Sequence, residues 1–207
     1  IKLDIKKFFY SIDRIILKEI FRKYIKDEKI LRLLDKITDS ADNISELGIP
    51  LGNTISQLSS NLYLNELDQY LKRMFGLRCY VRYMDDIFIQ VENKEKARII
   101  IDSASKFVEE RLHLSLNKNK STYFPIDHCI NGVGYKIWPT HKKLRDSSKR
   151  SIKKILREEM DVVKLRDRIN SWLASAEKAN SYNFIKKNYI KEIRDEANKR
   201  IDSIYLN

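Results

Sequence analysis

A chain of 207 residues, 43% hydrophobic and 10% aromatic, is long enough to bury a core in one large domain or two small ones. Its net charge of +12 and pI near 9.5 point to a polyanionic partner, most simply nucleic acid. No apolar run approaches the roughly 20 residues of a membrane span, no secretory signal is visible, and the 34% charged content fits a cytoplasmic protein with no membrane partner. Two cysteines, Cys79 and Cys129, are too few for a disulfide framework and lack zinc-ligand spacing, so both are expected to be buried thiols.

In chain order, Ile1-Lys2-Leu3-Asp4-Ile5 reads as a strand with an acid near its end. Ser11 to Ile25 has the apolar and charged spacing of a helix, with Ser11 or Asp13 as its cap. A second helix is predicted over Lys29 to Ile37, and Thr38 to Glu46 reads as a polar loop. Gly48-Ile49-Pro50-Leu51-Gly52-Asn53 is a turn of special backbone residues. Thr54 to Phe75 then predicts a long helix, with Ile55, Leu58, Leu62, Leu67, Tyr70 and Leu71 mostly on one side and Gly76 as its end. Lys94 to Leu112 is another amphipathic helix, His113 to Leu116 a strand candidate, and Asn117 to Ser121 a basic turn. Gly132 to Pro139 suggests a tight hairpin whose strand ends at the proline. Beyond it, Ser147 to Met160, Val162 to Lys178 and Tyr182 to Tyr205 read as helices. From His141 onward there are 18 Lys and Arg against 10 Asp and Glu, so +8 of the net +12 lies in the last third.

The chemistry concentrates at Tyr83-Met84-Asp85-Asp86. The apolar runs Cys79-Tyr80-Val81 and Ile87-Phe88-Ile89 flank two adjacent carboxylates, which predicts a β-hairpin with the acids at its tip. Asp is also an ordinary turn residue, so the pair alone specifies nothing. A strand carrying Asp4, laid beside that hairpin in one sheet, would bring three carboxylates to one spot. Two Mg²⁺ ions about 3.5–4 Å apart need such a set of oxygen ligands to run an in-line phosphoryl transfer.

With these segments in this order, the chain resembles the reverse transcriptases, the RNA-directed DNA polymerases. Leu3 to Phe9 resembles the first catalytic motif, Gly48 to Gln57 the nucleotide- and template-contacting motif, and Tyr83 to Asp86 the catalytic tetrapeptide. Leu116 to Lys120 is similar to the lysine-bearing loop, and Val133-Gly134-Tyr135 to the primer grip. Most members carry Gln where this chain has Leu51 and Pro where it has Gln57. Leu51 to Gln57, Gly134 to His141, Ser171-Trp172-Leu173 and Ala179 to Tyr182 resemble the diversity-generating retroelement branch, whose enzymes copy a template RNA with errors at adenines.

The resemblance implies an α+β fold: a polymerase palm with an antiparallel sheet packed on helices, then an all-α thumb of about three helices. The expected boundary lies near Pro139, giving 1–139 as palm with part of the fingers and 140–207 as a basic helical thumb. Asp4, Asp85 and Asp86, with the Ile5 carbonyl, would hold two Mg²⁺ (Mn²⁺ as a substitute). Lys120 would protonate or neutralise the leaving pyrophosphate. Phe9 matches the steric gate against a ribose 2′-hydroxyl. Leu51, Gly52, Ser56 and Gln57 would contact nucleotide or template, and Gly134 and Tyr135 the primer. Partners implied are an RNA template, a DNA or RNA primer, dNTPs and, for the retroelement branch, a basic accessory protein. The chain opens on Ile1 and on what reads as a central strand, so it is expected to be the C-terminal part of a longer protein. Without the fingers segment that precedes the first motif in the family, it is expected to polymerise poorly alone. Trp138 and Trp172 read as core anchors, and His113, His128 and His141 are assigned no chemistry. Alternatives are another prokaryotic reverse transcriptase (group II intron, retron or phage-defence type) or a non-catalytic RNA-binding module with a polymerase-like fold. An intact set of three acids argues against the last.

Overall fold

The computed structural model describes residues 1–40, 46–132 and 134–188. The chain divides into two units, Ile1–Phe124 and Pro125–Asn207. Both mix helices with a small antiparallel sheet, in line with the expected α+β class.

In the first unit, β1 (Lys2–Asp4), β2 (Tyr80–Tyr83) and β3 (Asp86–Ile89) form an antiparallel sheet in the order β1-β3-β2. One sheet face carries Leu3, Ile87, Ile89, Tyr80 and Arg82. The other carries Lys2, Asp4, Asp86, Phe88, Val81 and Tyr83, because side chains alternate along each strand and pair across it. Leu3, Ile87 and Ile89 are buried, and they belong to one apolar core with Tyr63, Leu64, Leu67 and Leu71 of α4 (Thr54–Phe75) and Ile100, Ala104 and Val108 of α5 (Lys94–Leu112). The buried Tyr63 hydroxyl donates to the Leu112 carbonyl at 2.7 Å, tying α4 to the end of α5. Burial pushes that phenol's pKa up, so it remains a donor.

The first predicted helix is found with Asp13 rather than Ser11 as its cap, and a short helix that was not predicted precedes it. A one-turn helix α1 (Phe8–Ser11) is followed by extended Ile12, and Asp13 then caps α2 (Arg14–Tyr24) by accepting from Ile15 N at 2.9 Å and Ile16 N at 3.3 Å. Helix α3 runs from Glu28 to Asp39, two residues into the stretch expected to be loop; residues 41–45 of that loop lie outside the described residues. Helix α4 has its expected bounds, with Asn53 as N-cap and Gly76 at φ 59° as C-cap. Its buried face differs from the expected one. Ser56, Ser59, Ser60 and Asp68 join Tyr63, Leu64, Leu67 and Leu71 on it, whereas Leu58 is exposed. The stretch His113–Leu116 contributes a single bridge, Leu116 to Ile5, with Leu114 and Leu116 buried. Cys79 is exposed, since it precedes the edge strand β2, and Cys129 is half-buried; neither is the buried thiol expected, and both are free.

The second unit holds β4 (Ile130–Gly132), β5 (Tyr135–Ile137) and β6 (Lys142–Leu144), then α6 (Asp146–Arg157), α7 (Val162–Glu177) and α8 (Tyr182–Asn188). β5 ends before Pro139, and β6 lies in a stretch expected to be wholly helical. Its three residues, of which only Leu144 is apolar and buried, are too short to show a period. Trp172 sits in this unit's core as expected, and its indole N–H donates to the Ser148 carbonyl at 2.9 Å. Trp138 is instead half-buried and stacked on His141 at 4.7 Å, with Lys143 over its ring. The expected helix from Tyr182 to Tyr205 is described only as far as Asn188.

Candidate active site

Asp4 ends β1 and Asp86 begins β3, and the two are direct cross-strand partners on one face of the sheet. Asp85 lies in the two-residue turn that joins β2 to β3, with Met84 before it at φ 53°. A non-glycine residue in the left-handed region is uncommon, and such strained positions gather at functional sites. Burial raises the pKa of the Asp85 carboxyl above its ordinary range, and the negative charges of Asp4 and Asp86 raise it further. The three acids therefore share one electrostatic neighbourhood. Two of them carry a lysine: Lys120 Nζ lies 3.3 Å from Asp4 and Lys2 Nζ 3.1 Å from Asp86.

The loop that brings Lys120 there is built by Asn117. The Asn117 carbonyl accepts from Lys120 N at 3.0 Å and Ser121 N at 2.8 Å, and its side-chain oxygen accepts from Asn119 N at 3.2 Å. Asn117 N in turn donates to the Asp4 carbonyl at 2.8 Å, and Thr122 pairs with Lys2 through backbone bonds of 2.8 and 2.9 Å. Asp4 N donates to the Ser121 hydroxyl at 3.1 Å. Both ends of the loop are thus stitched to β1, and Lys120 beside Asp4 follows from backbone bonding rather than from a long side chain's freedom.

The other predicted residues fall around α1 and the start of α4. Ile5 is buried and bridges to Leu116. Phe9 lies in α1, half-buried, its ring 5.4 Å from that of Phe8. Its carbonyl accepts from Ile49 N at 3.1 Å, and the buried Arg14 guanidinium donates to the Gly48 carbonyl at 3.0 Å, so α1 and α2 clamp the turn ahead of α4. Leu51 is 55% exposed, and Gly52 next to it is at φ 79°, a backbone state that glycine takes without strain. Gln57 is exposed on the first turns of α4, whereas Ser56 is buried. Gly134 and Tyr135 lie in the second unit: Gly134 has φ 85° between β4 and β5, and the Tyr135 hydroxyl donates to the Ser175 carbonyl at 2.8 Å. Val133 lies outside the described residues.

The family model for reverse transcriptase (RNA-dependent DNA polymerase) matches residues 1–137, two thirds of the chain and all of the geometry around the three carboxylates. The chain belongs to the reverse transcriptase family. Among curated relatives, the putative COX1/OXI3 intron 2 protein of Saccharomyces cerevisiae is 25% identical over 207 residues, covering 69% of this chain and 24% of that protein. The retron Ec73 reverse transcriptase of Escherichia coli is 28% identical over 123 residues, 53% of this chain and 38% of that protein. Protein YkfC of E. coli K12 is 26% identical over 185 residues, 70% of this chain and 47% of that protein. The chain spans less than half the length of each.

Beyond the family motifs, the reverse transcriptase chain places residues at this site to which the sequence gave no role. Lys2 is one. Ser121, whose hydroxyl accepts from Asp4 N, is another. Arg82 is the third, directly beneath the Met84–Asp85 turn. Arg82 becomes legible only from the register: pairing with β3 puts it on the sheet face of Tyr80 and Ile87, and a cation on an inward face demands a partner. Among the described residues, no three His, Cys, Asp or Glu side chains stand close enough together to enclose a metal.

Proposed function

We propose that this chain carries the catalytic segment of an RNA-directed DNA polymerase, making cDNA by nucleotidyl transfer at Asp4, Asp85 and Asp86. The observation that carries this reading is the cross-strand pairing of Asp4 with Asp86, beside a turn whose Asp85 feels both charges. A binding module gains nothing from three converging acids, which cost electrostatic energy until a cation arrives.

The donor chemistry fits Mg²⁺, since Asp4, Asp85 and Asp86 offer hard carboxylate oxygens and no soft ligand. An ion would have to draw the three carboxylates together, because they do not enclose one as they stand. The Ile5 carbonyl would add a ligand. The acids stand with lysine ammonium groups in the place of metal charge, so the ions would displace Lys120 from Asp4 and Lys2 from Asp86. When bound, two such ions supply activation of the primer hydroxyl and stabilisation of the leaving pyrophosphate, with Mn²⁺ able to substitute. The chain's own residues do the rest. Lys120, once released, stands at the edge of the site to neutralise the pyrophosphate or give it a proton. Phe9 packs under the sugar, where a 2′-hydroxyl would meet its ring. Leu51, Gly52, Ser56 and Gln57 frame the nucleotide and template, with Gly134 and Tyr135 on the primer. In this reading 1–139 is palm with part of the fingers and 140–207 is thumb.

Leu51 supports the finer reading, an error-prone enzyme of the diversity-generating branch. An exposed apolar side chain cannot make the hydrogen bonds a Gln would make there, so geometric checking of the nucleotide is looser.

The test is extension of a DNA primer on an RNA template by the full protein, with and without Mg²⁺, in wild type and Asp85→Asn. Mg²⁺-dependent extension lost in the variant establishes the polymerase, and errors concentrated opposite adenine select the retroelement branch. Template–primer binding with no extension, alone or with a basic accessory protein, would favour the RNA-binding module.

A further inference from the structure

We propose that Arg82 is the positioning residue of the catalytic turn: it locks the Met84–Asp85 peptide, and so the direction of the Asp85 carboxylate, to helix α4. The proposal deepens the polymerase reading above and rests on it.

All five N–H groups of the Arg82 guanidinium are used. Nε and Nη2 form a fork on Asp68, at 2.9 and 3.0 Å from Nε and 2.7 Å from Nη2. Nη2 also donates to the Asn61 carbonyl at 3.1 Å, and Nη1 to the Asn61 side-chain oxygen at 2.8 Å. The last N–H, on Nη1, donates to the Met84 carbonyl at 3.2 Å. The anchor is stiff. Asp68 and Arg82 side chains are each 11% exposed, Asp68 is held again by the Tyr80 hydroxyl at 2.5 Å, and Asn61 and Asp68 lie two turns apart on one side of α4.

The Met84 carbonyl is the one that matters in this turn. It belongs to the central peptide of the two-residue connection, whose carbonyl has no partner in the strand ladder and whose rotation converts one turn type into another. That rotation would swing the Asp85 Cα–Cβ bond without breaking the hairpin. Met84 already holds a left-handed φ of 53°, so the turn needs an outside contact to select its state. Arg82 supplies it from the helix-facing side of the sheet, opposite the face of Asp4 and Asp86. The same helix is capped by Asn53, directly after Gly52, and carries Gln57 in its first turns. Through Arg82, the metal-binding turn and the proposed nucleotide-framing turn are registered on one rigid element. Partners that orient a ligand in this way commonly change metal affinity or activity by about 10–100-fold when lost.

The test uses the full protein and three variants: Arg82→Lys, which keeps the charge but loses the fork, Asn61→Ala, which removes the Nη1 anchor alone, and Asp85→Asn as the inactive control. Melting temperature, metal-free binding of a primer–template duplex, Mn²⁺ affinity by electron paramagnetic resonance, and Mg²⁺ dependence of extension are measured together. Arg82→Lys is expected to bind the duplex within about twofold of wild type, while Mn²⁺ affinity falls and half-saturating Mg²⁺ rises by about tenfold or more. Asn61→Ala is expected to shift both in the same direction by a smaller factor, and it decides the matter if Arg82→Lys does not fold. Wild-type metal affinity in both folded variants, with activity following only the folded fraction, would overturn the proposal. If wild type binds Mn²⁺ but does not extend, the polymerase reading fails, and the Mn²⁺ titrations still decide what Arg82 does.

Discussion

The ionised Asp85 carboxylate costs the protein stability. The carboxyl is half-buried, feels the charges of Asp4 and Asp86, and has its pKa above the ordinary 3.8. A raised carboxyl pKa means the folded state holds the proton more tightly than the unfolded chain does. The associated stability is present at low pH, below the ordinary value, and is lost as pH rises through the raised one. At neutral pH in the absence of metal, Asp85→Asn should therefore melt at a higher temperature than wild type. The gap should narrow as pH is lowered towards 4, and saturating Mg²⁺ should reverse its sign. Calorimetry at two pH values, with and without Mg²⁺, checks all three; equal melting temperatures throughout would mean that neither burial nor the neighbouring acids perturb the Asp85 carboxyl. Lys120 gives a second expectation at this scale. With its loop pinned by Asn117 and Ser121, Lys120→Ala should leave duplex binding intact and slow extension by about 10²-fold or more, the least that a positioned proton donor contributes. Single-turnover kinetics measures it, and an unchanged rate would reduce Lys120 to a counter-ion of Asp4.

At the scale of elements, caps decide where the chain turns. Gly76 ends α4 at φ 59°, and a β-carbon there would meet no atom within 4 Å, so the cost of replacing it is conformational alone. Gly76→Ala should destabilise by about 1–2 kcal/mol without touching extension, as chemical denaturation would show. The same logic explains which elements could be read in advance. Helices α4 and α5 and the β2–β3 hairpin carry long periods or paired apolar runs with capping residues at their ends, and they lie where the sequence put them. The stretch from Ser11 to Ile25 keeps a helical period across a break, so the extended Ile12 and the Asp13 cap were visible only as an alternative start. β6 has three residues and one apolar side chain, and His113–Leu116 spends its backbone on a single bridge; neither is long enough for a pattern to outweigh its surroundings. At the site, acids in motif order were legible from spacing. Arg82 and Lys2 were not, because one basic residue in a short strand looks like ordinary alternation until the partner strand fixes which face is buried.

At the scale of the whole molecule, the positive charge is concentrated towards the C-terminal part of the sequence. Eighteen Lys and Arg lie from His141 onward, and on α6 Arg150, Lys153, Lys154 and Arg157 line one recess, with Glu158 the acid among them. Helix α6 has its apolar side, Ile152, Ile155 and Leu156, in the core of its unit, so these four cations share the solvent side of one helix. Salt bridges to Glu158 from Lys154 at 3.7 Å and from Arg168 hold part of that surface but neutralise only one of the charges. A nucleic-acid backbone on this face would release counterions as it binds, and the affinity should fall steeply with salt. Replacing Arg150 and Lys153 together by Gln should weaken binding of a primer–template duplex about equally for all sequences. It should also lower the slope of log affinity against log salt by about one for each residue that contacts a phosphate. Titrations of the full protein between low and physiological salt read both quantities. Unchanged affinity and slope would place α6 away from the duplex and leave its charge as a solubility feature. A loss of affinity that depended on sequence would mean that these side chains read bases rather than backbone.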